Sequence, residues 1–413
     1  MLDWLSAYPK TAERLGCSPL KEHLTGYLAH MTEQRYPPKT MRKYADYLLC
    51  FGEFLGQHDS PDSAQLAQSV EPFLTELASR LSSAPKVRHT LNRFLRFLRQ
   101  TGIILVPEPA GPPNPLAELV ENYCTLLHAQ RALKDQTIRG IRGTCRRFMA
   151  FLAAEGEMSL RNLQPQPIHH FLISRGQQCR RSSLRTESSS LRSYLGYLHH
   201  CGAVALDLSG AVVAPRVYQH DQCPRFLTRP KIDAVLAIID RKTPVGRRDY
   251  AMLMLLTAYG LRGGEVTHLR LNDIDWRNNK LHIRGRKSGN NTTYPLAKSV
   301  DDAIVDYLRN GRPASSHREV FLSVIAPFGP LLTAAALASH IVKYLKQAGI
   351  TVNRPGTHIF RYSCAQRLFE EGMSLKVIGD YLGHSDLHST LRYTKIALDQ
   401  LREVAMGDAE DLL

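Results

Sequence analysis

Six polar residues in the C-terminal half of the chain have types and an order that suit the cleavage of a phosphodiester bond. They are Arg262, Lys287, His358, Arg361, His384 and Tyr393. A phenolate is a competent oxygen nucleophile, and arginine forks match phosphate oxygens in a bidentate manner. Lysine and histidine can transfer the protons that the reaction needs. The set therefore contains a nucleophile, charge stabilisation and acid–base groups.

Metal ions are not required by this set, because the two arginines already supply positive charge. The sequence contains no cluster of carboxylates spaced for two magnesium ions. None of the eight cysteines forms a CxxC pair, so a zinc site is not indicated. We therefore expect no metal and no other cofactor.

Each motif around these residues is weak when taken alone. Arg262 could pair with Glu265 on the next turn, and His358 could simply begin a helix after Thr357, a good N-cap type. A lone tyrosine such as Tyr393 is usually an ordinary half-buried helix residue. The order and spacing of all the motifs together favour chemistry over these structural roles.

Together the motifs resemble those of the tyrosine recombinase (phage integrase) family. Its G-L-R-x-x-E-(L/V) turn fits residues 260–266, and its hairpin lysine with a small polar residue and glycine fits residues 287–289. The H-x-x-R motif fits residues 358–361, and the L-G-H motif fits residues 382–384. The histidine of the L-G-H motif lies nine residues before Tyr393. The resemblance covers residues 224–413 well. Ile359, Phe360 and Tyr362 depart from the usual pattern.

The resemblance implies a role for each reactive residue. Tyr393 is the nucleophile, and Arg262 and Arg361 stabilise the pentavalent transition state. Lys287 protonates the departing 5′-oxygen, His358 assists proton removal from Tyr393, and His384 hydrogen-bonds a phosphate oxygen. We expect Glu265 and Asp273 to be structural, positioning Arg262 and the first strand.

The resemblance also implies an assembly and a reaction course. Four protomers would act on two DNA sites through a 3′-phosphotyrosyl intermediate and a Holliday junction, without a nucleotide cofactor. The predicted function is a site-specific recombinase or integrase for a mobile element. Partner recombinases and accessory proteins stay open. The rivals are a type IB topoisomerase, which relaxes supercoils as a monomer, and a DNA-binding regulator that has lost catalysis.

A basic charge balance supports a polyanionic partner, which we take to be double-stranded DNA. The formal net charge is +15, of which residues 1–110 carry +2, residues 111–223 carry +5 and residues 224–413 carry +8. Arginines are concentrated in two stretches of the middle segment and at the predicted hairpin. The DNA-binding candidates are Arg139, Arg142, Arg146, Arg147, Arg180, Arg181, Arg185 and Arg286. A solvated helix face is the alternative for each stretch.

Two proline-rich passages, at 106–115 and 212–230, divide the chain into three predicted domains, 1–108, 112–212 and 224–413. The first two look like copies. Residues 39–56 match 136–153, and residues 90–103 match 190–203, each with amphipathic helical spacing. Gly102 and Gly202 follow the last apolar turn, where a left-handed C-cap is expected. The first domain is either a duplicated DNA clamp or a protein-contact module.

The predicted fold is mainly α. Two tandem small helical domains of the SAM-like core-binding type precede a mixed, mostly helical catalytic domain with a small antiparallel sheet, in which residues 280–285 and 292–296 read as strands. The tail, 395–413, packs either on a neighbouring protomer or on its own domain. With no signal peptide or transmembrane segment, we expect a cytoplasmic bacterial protein that joins the nucleoid when it acts, without a membrane partner.

Overall fold

A computed structural model describes most of the chain. The described residues are 2–57, 66–78, 84–104, 115–131, 133, 135–156, 160–216, 226–285, 291–330 and 333–383. The chain forms two compact units, one of residues 106–221 and the other of residues 1–105 together with 222–413. The described residues are mostly helical with one small antiparallel sheet, which confirms the predicted fold class.

The first helical domain buries one face of each long helix around an apolar core. Its helices are α1 (Pro9–Cys17), α2 (Lys21–Glu33), α3 (Pro38–Gln57), α4 (Val70–Ala78) and α5 (Ala84–Gln100). Its aromatic contacts include two groups of three rings each. The ring of Tyr27 is 5.4 Å from those of Phe94 and Phe97, and the ring of Phe73 is 5.2 Å from Phe51 and 5.4 Å from Phe54.

The second helical domain has a core of its own. Its helices are α6 (Pro115–Arg131), α7 (Asp135–Ala154), α8 (Pro165–Gln178) and α9 (Arg181–His200). The ring of Tyr123 is 5.1 Å from Tyr194 and 4.9 Å from Tyr197. This domain also has a second group of three rings, like the group formed by Phe51, Phe54 and Phe73 in the first domain. The ring of Phe171 is 5.2 Å from Phe148 and 5.5 Å from Phe151.

The glycines that end α5 and α9 confirm the predicted left-handed caps. Gly102 and Gly202 both have a φ of 73°. Their amide groups donate to the carbonyl oxygens of Arg99 and His199 over 3.2 and 3.0 Å. This conformation disfavours any side chain with a Cβ, so glycine ends both helices at matching positions.

The third segment is built around one buried helix. Its helices are α10 (Arg229–Ala237), α11 (Pro244–Tyr259), α12 (Gly263–Thr267), α13 (Lys298–Asn310), α14 (Ala334–Gln347), α15 (His358–Glu370) and α16 (Leu375–Leu382). Thr243 caps α11 by accepting a hydrogen bond from the Gly246 amide over 3.1 Å. Ten of the sixteen residues of α11 are buried, so the helix forms the centre of the domain.

The sheet follows α12 in the order β1 (Ile274–Asp275), β2 (Lys280–Ile283) and β3 (Thr292–Pro295), and all its pairs are antiparallel. The strands predicted at 280–285 and 292–296 are therefore present. In the β2–β3 pair, Lys280 lies opposite Pro295 and Ile283 lies opposite Thr292. The connection between these strands is the segment that contains Lys287.

A buried ionic network that no sequence motif indicated joins α11 to α14. Asp249 is fully buried and accepts hydrogen bonds from Arg248 over 2.8 Å and from the Tyr344 hydroxyl over 2.8 Å. Nδ1 of His340 lies 2.8 Å from the same carboxylate. Arg248 also donates to the carbonyl oxygen of Leu322 over 3.1 Å, so the network fixes the chain that leaves α13.

The first and third segments have separate apolar cores but belong to one compact unit. A loop of the third segment, residues 322–330, contributes buried Ala326 to the core of the first domain, and Phe328 packs against the same core. The division into three domains stays a prediction. None of the helices in the described residues is both long and apolar enough to cross a bilayer.

Candidate active site

The Gly-Leu-Arg turn brings the end of α11 to the start of α12. Gly260 has a φ of 60° and ends α11. A Cβ at this position would lie 2.7 Å from Cδ2 of Leu382 and 3.0 Å from Cβ of Cys364. Only glycine fits both the backbone conformation and the space, so α11, α15 and α16 can meet closely here. Arg262 follows directly and precedes α12.

Arg262 is held by the carboxylate of Glu265. Its Nη1 lies 2.8 Å from Oε1 of Glu265, and its backbone amide donates to Oε2 over 2.9 Å. Its Nη2 donates to the carbonyl oxygen of Gly383 over 3.1 Å. The pairing considered from the sequence is present, and it leaves about a quarter of the Arg262 side chain exposed (26%).

Arg361, on α15, lies at the same meeting point of α11, α15 and α16. It is almost fully buried (3%) and donates through Nη1 to the carbonyl oxygen of Gly260 over 2.8 Å. Its Nη2 donates to the carbonyl oxygen of Leu382 over 2.5 Å. These carbonyl dipoles offset the cost of burying the guanidinium charge. An arginine carries five N–H donors, so two such bonds do not exhaust it.

Three of the sequence motifs therefore meet at the end of α16. The carbonyl groups of Leu382 and Gly383 are adjacent, and one accepts from Arg361 while the other accepts from Arg262. Gly383 ends α16 with a φ of 68°, and His384 is the next residue. Lys287, His384, Tyr393 and Arg286 lie outside the described residues. The structure thus brings together two of the six predicted catalytic residues.

His358 is exposed at the first position of α15. Its ring lies 6.3 Å from that of Tyr362, one turn later. Thr357 occupies the N-cap position, as its residue type suggested, but its backbone is helical and its side chain makes no capping hydrogen bond. Thr357 is buried, and an added Cβ on Gly263 would lie 2.8 Å from its methyl group. Close packing, rather than capping, accounts for this threonine.

The unusual residues of the H-x-x-R motif are part of the core. Ile359 and Phe360 are 4% and 0% exposed and belong to the main apolar cluster of the domain. Their side chains pack α15 against this cluster, and the same helix carries His358 and Arg361. The departures from the family pattern therefore affect the packing of the helix that carries these two groups.

The base of the hairpin that contains Lys287 is fixed by an ion pair. Nε of Arg284 lies 3.1 Å from Oδ1 of Asp273, and Oδ2 of Asp273 accepts from the amide of Arg270 over 2.9 Å. The amide of Gly285 donates to the side chain of Asn291 across the hairpin over 3.3 Å. Glu265 thus contacts Arg262, whereas Asp273 ties the start of β1 to the end of β2.

Three tyrosine rings in mutual contact, which no sequence motif indicated, connect the hairpin to α11 and α16. The rings of Tyr259 and Tyr294 are 5.1 Å apart, and those of Tyr294 and Tyr381 are 5.0 Å apart. The Tyr294 hydroxyl donates to the carbonyl oxygen of Tyr381, and that of Tyr259 donates to Pro295 over 2.9 Å. Burial raises the pKa of Tyr259 and of Tyr381, so both stay neutral donors.

Most of the arginine candidates on α7 have acidic partners inside the second domain. Glu121 lies 3.2 Å from Arg142 and 2.7 Å from Arg146. Glu187 pairs with Arg147 and with Arg175, each over 2.9 Å. The hydrogen bond from Arg175 is the main cause of the lowered pKa of Glu187. Arg175 was absent from the sequence-based candidates.

The remaining arginine candidates of this domain are on its surface. Arg139, Arg180, Arg181 and Arg185 are all exposed. Arg180 precedes α9 and Arg181 begins it, whereas Arg185 and Arg139 lie in the second turns of α9 and α7. Their contact with DNA stays a prediction. Within the described residues, no group of three or more His, Cys, Asp or Glu side chains is arranged to hold a metal ion.

Comparison with known proteins agrees with this geometry. The model of the phage integrase family matches residues 225–399, and that of the phage integrase N-terminal SAM-like domain matches residues 120–202. An integrase/recombinase of Sinorhizobium fredii, y4rA, is 35% identical over 324 residues, which cover 78% of this chain and 79% of that protein.

Two further similarities extend the comparison. The tyrosine recombinase XerC of Oceanobacillus iheyensis is 28% identical over 298 residues, covering 71% of this chain and 96% of that protein. The crystal structure of the XerH site-specific recombinase bound to a palindromic difH substrate has the same fold, with a TM-score of 0.54 at 17% identity, covering 83% of this chain and 96% of that one. The chain therefore belongs to the phage integrase family and is a tyrosine recombinase, an enzyme of site-specific DNA recombination.

Proposed function

We propose that this recombinase cuts each DNA strand by attack of the Tyr393 hydroxyl on a backbone phosphate. The phenolic oxygen forms a bond to phosphorus and the 5′-oxygen of the next nucleotide leaves, which gives a 3′-phosphotyrosyl intermediate. A 5′-hydroxyl then attacks that phosphorus and releases the tyrosine, so the strand is rejoined without a nucleotide cofactor. Repeated on the second pair of strands, these steps pass through a Holliday junction.

The main support for this proposal is that the end of α16 holds both Arg262 and Arg361. Arg262 and Arg361 are anchored on the carbonyl groups immediately before His384, and Tyr393 follows nine residues later in the sequence. Two permanent cations preset in this way would stabilise the charge of a pentavalent phosphorus with little reorganisation. Glu265 holds one of the guanidinium groups, and core packing holds the helix that carries the other.

The other three reactive residues would manage protons and one phosphate oxygen. Lys287 would protonate the leaving 5′-oxygen, and the hairpin fixed by Arg284 and Asp273 would present it. His358, which is exposed at the start of α15, would assist removal of the proton from Tyr393. His384 would donate a hydrogen bond to a phosphate oxygen.

Duplex DNA is the substrate in this proposal. The charge of +8 over residues 224–413 and the exposed arginines 139, 180, 181 and 185 would bind its backbone. The XerH recombinase, whose crystal structure has this fold, is bound in that structure to a DNA substrate. We propose that a tetramer acts on two DNA sites. Partner recombinases or accessory proteins can take part in this assembly, and the 395–413 tail packs either on its own domain or on a neighbouring protomer.

The substrate is proposed to be a mobile element undergoing integration, excision or transposition, in keeping with the integrase/recombinase name of the Sinorhizobium relative. Membership of this family disfavours a type IB topoisomerase. An inactive DNA-binding regulator would keep the arginines yet form no covalent complex, so a cleavage assay separates it from the enzyme.

A nicked suicide duplex from the flanks of the gene tests the proposal. Incubation with the wild-type chain should yield an SDS-resistant protein–DNA complex, and Tyr393→Phe should yield none while binding the duplex equally well. A known recombinase on its own substrate serves as the positive control. Binding by both proteins without a covalent complex from either would favour the inactive regulator.

A further inference from the structure

The first helical domain lies outside both segments that match the family models, which are residues 120–202 and 225–399. Its role is therefore not supplied by the family match. Two features of the structure bear on it. One is the repetition of the aromatic packing of the second domain, and the other is an exposed basic segment that spans the α2–α3 connection and the first turns of α3.

The aromatic packing of the first domain repeats that of the second. Each ring of one set has a counterpart 96 to 100 residues later, and the centroid distances differ by 0.5 Å or less. The pairs are Tyr27 and Tyr123, Phe94 and Tyr194, Phe97 and Tyr197, Phe51 and Phe148, Phe54 and Phe151, and Phe73 and Phe171. Two unrelated helical bundles would not share six ring positions, so we infer that the domains arose by duplication.

The basic segment lies where the second domain carries a DNA-binding candidate. Residues 35–43 contain four exposed cations and no acid: Arg35, Lys39, Arg42 and Lys43. Arg42 matches Arg139 at the repeat spacing of 97. The first acid that follows, Asp46, lies 3.5 Å from Arg42 and 3.8 Å from Arg14, so its charge is already shared by two arginines.

A loop of the catalytic segment packs into the core of the first domain. Ala326 is 8% exposed within the core of the first domain, and Phe328 packs against that core. Their loop is closed by a hydrogen bond from the Ser323 amide to the Gly329 carbonyl oxygen over 2.7 Å. Arg248 holds the loop at Leu322. A DNA contact made by the first domain would therefore come from a domain that packs directly against the catalytic segment.

We propose that residues 35–43 of the first domain bind the phosphate backbone of duplex DNA flanking the core site. This inference rests on the proposed recombinase function, because that function supplies the DNA on which the domain acts. Exposed lysines and arginines bind phosphates without reading sequence, and each contact releases condensed counterions. The segment thereby lengthens the DNA bound by each protomer.

The test compares two double variants of the full chain with equal charge loss. Lys39→Gln/Lys43→Gln removes two cations of the segment, and Lys10→Gln/Lys21→Gln removes two exposed lysines of the same domain that lie outside the segment. Each protein binds two duplexes, one with native flanks and one with the core alone. Affinity is measured against salt, protection by footprinting, and folding by melting temperature.

The proposal predicts a loss confined to the long duplex. The slope of log affinity against log salt should fall by about 0.9 for each phosphate contact removed, so by roughly 2 for Lys39→Gln/Lys43→Gln, with a shorter footprint. The control pair should behave as wild type. Equal slopes and footprints for the two pairs would overturn the proposal. Unchanged slopes with weaker self-association would overturn it too and assign the segment to protein contacts.

Covalent trapping on the core duplex separates this inference from the recombinase proposal. If wild type and both pairs form the covalent complex equally, a result on the flanks bears on the first domain alone. If none forms it while flank protection still depends on Lys39 and Lys43, the recombinase mechanism fails and the DNA contact stands.

Discussion

Arg262 and Arg361 donate hydrogen bonds to the carbonyl groups of two consecutive residues, Gly383 over 3.1 Å and Leu382 over 2.5 Å. The two arginines are 99 positions apart in the sequence, yet one helix end fixes both guanidinium groups. Their spacing is thus set by backbone geometry rather than by flexible side chains, which is the preorganisation that charge stabilisation requires.

Removal of either guanidinium should reduce the rate of DNA cleavage more than the affinity for DNA. We expect Arg262→Ala and Arg361→Ala each to lower the rate by about 10²–10³-fold, as for the loss of one preorganised donor. Glu265→Gln should cause a smaller loss, because the cation remains but is held less firmly. Single-turnover cleavage with saturating protein measures these rates. A wild-type rate for Arg262→Ala would remove this arginine from the mechanism.

The proposed role of Lys287 can be isolated by changing the leaving group. Lys287→Ala should slow cleavage of an ordinary strand by about 10²–10⁴-fold, the range for a lost general acid. A bridging sulfur in place of the 5′-oxygen leaves readily as a thiolate and needs no proton donor. That substrate should restore the rate of Lys287→Ala but not of Arg262→Ala. Equal restoration of both variants would contradict the assignment.

Gly260 should be irreplaceable where Gly264, four residues later, is not. Gly260→Ala would place a methyl group 2.7 Å from Leu382 in a left-handed conformation, at a cost of about 2–4 kcal/mol. Gly264 lies in α12 with no atom within 4 Å of an added Cβ, so Gly264→Ala should be neutral or slightly stabilising. Melting temperatures of the two variants test this contrast, and an equal effect would contradict the packing described here.

Asp249 should make the stability of the catalytic segment sensitive to acid. Burial alone would raise the pKa of this carboxyl, but the hydrogen bond from His340 and the charge of Arg248 outweigh it, so the pKa lies below the ordinary 3.8. A lowered folded-state pKa contributes stability above about pH 4, which is lost as the pH falls through the folded value. The melting temperature of Asp249→Asn should therefore change less than that of wild type between pH 6 and pH 3.

An exposed aspartate provides the control for that measurement. Asp233 pairs with Arg229 one turn away on α10 and is about half exposed, so Asp233→Asn should leave the acid dependence nearly unchanged. If Asp249→Asn retained the full acid dependence of wild type, other carboxyl groups would be responsible for it.

Local patterns in the sequence predicted the parts of the fold that depend on local rules. The amphipathic spacing of α3, α5, α7 and α9, the positive φ of Gly102 and Gly202, and the strands of the hairpin all follow from periodicity and turn chemistry. The combination of helices and strands in the third segment was likewise predictable, because apolar and polar residues alternate along its strands and do not alternate along its helices.

Long-range partners were beyond local reasoning. Nothing near Asp249 in the sequence indicates His340 or Tyr344, although an Arg-Asp pair inside an apolar helix was a signal that a buried partner exists. Glu187, the single acid of an arginine-rich stretch, was a similar signal for Arg175. The adjacent carbonyl groups that bind Arg262 and Arg361 could not be foreseen, because backbone acceptors leave no mark on residue type.

The most direct test of the mechanism is to identify the amino acid that becomes linked to DNA. The trapped complex would be digested with nuclease and trypsin and analysed by mass spectrometry; trypsin cuts after Arg392 and Lys395, so Tyr393 lies in a peptide of three residues. We expect a nucleotide 3′-phosphate on Tyr393 and a free 5′-hydroxyl on the released strand. A nucleotide on any other peptide, or cut DNA without a protein adduct, would contradict it.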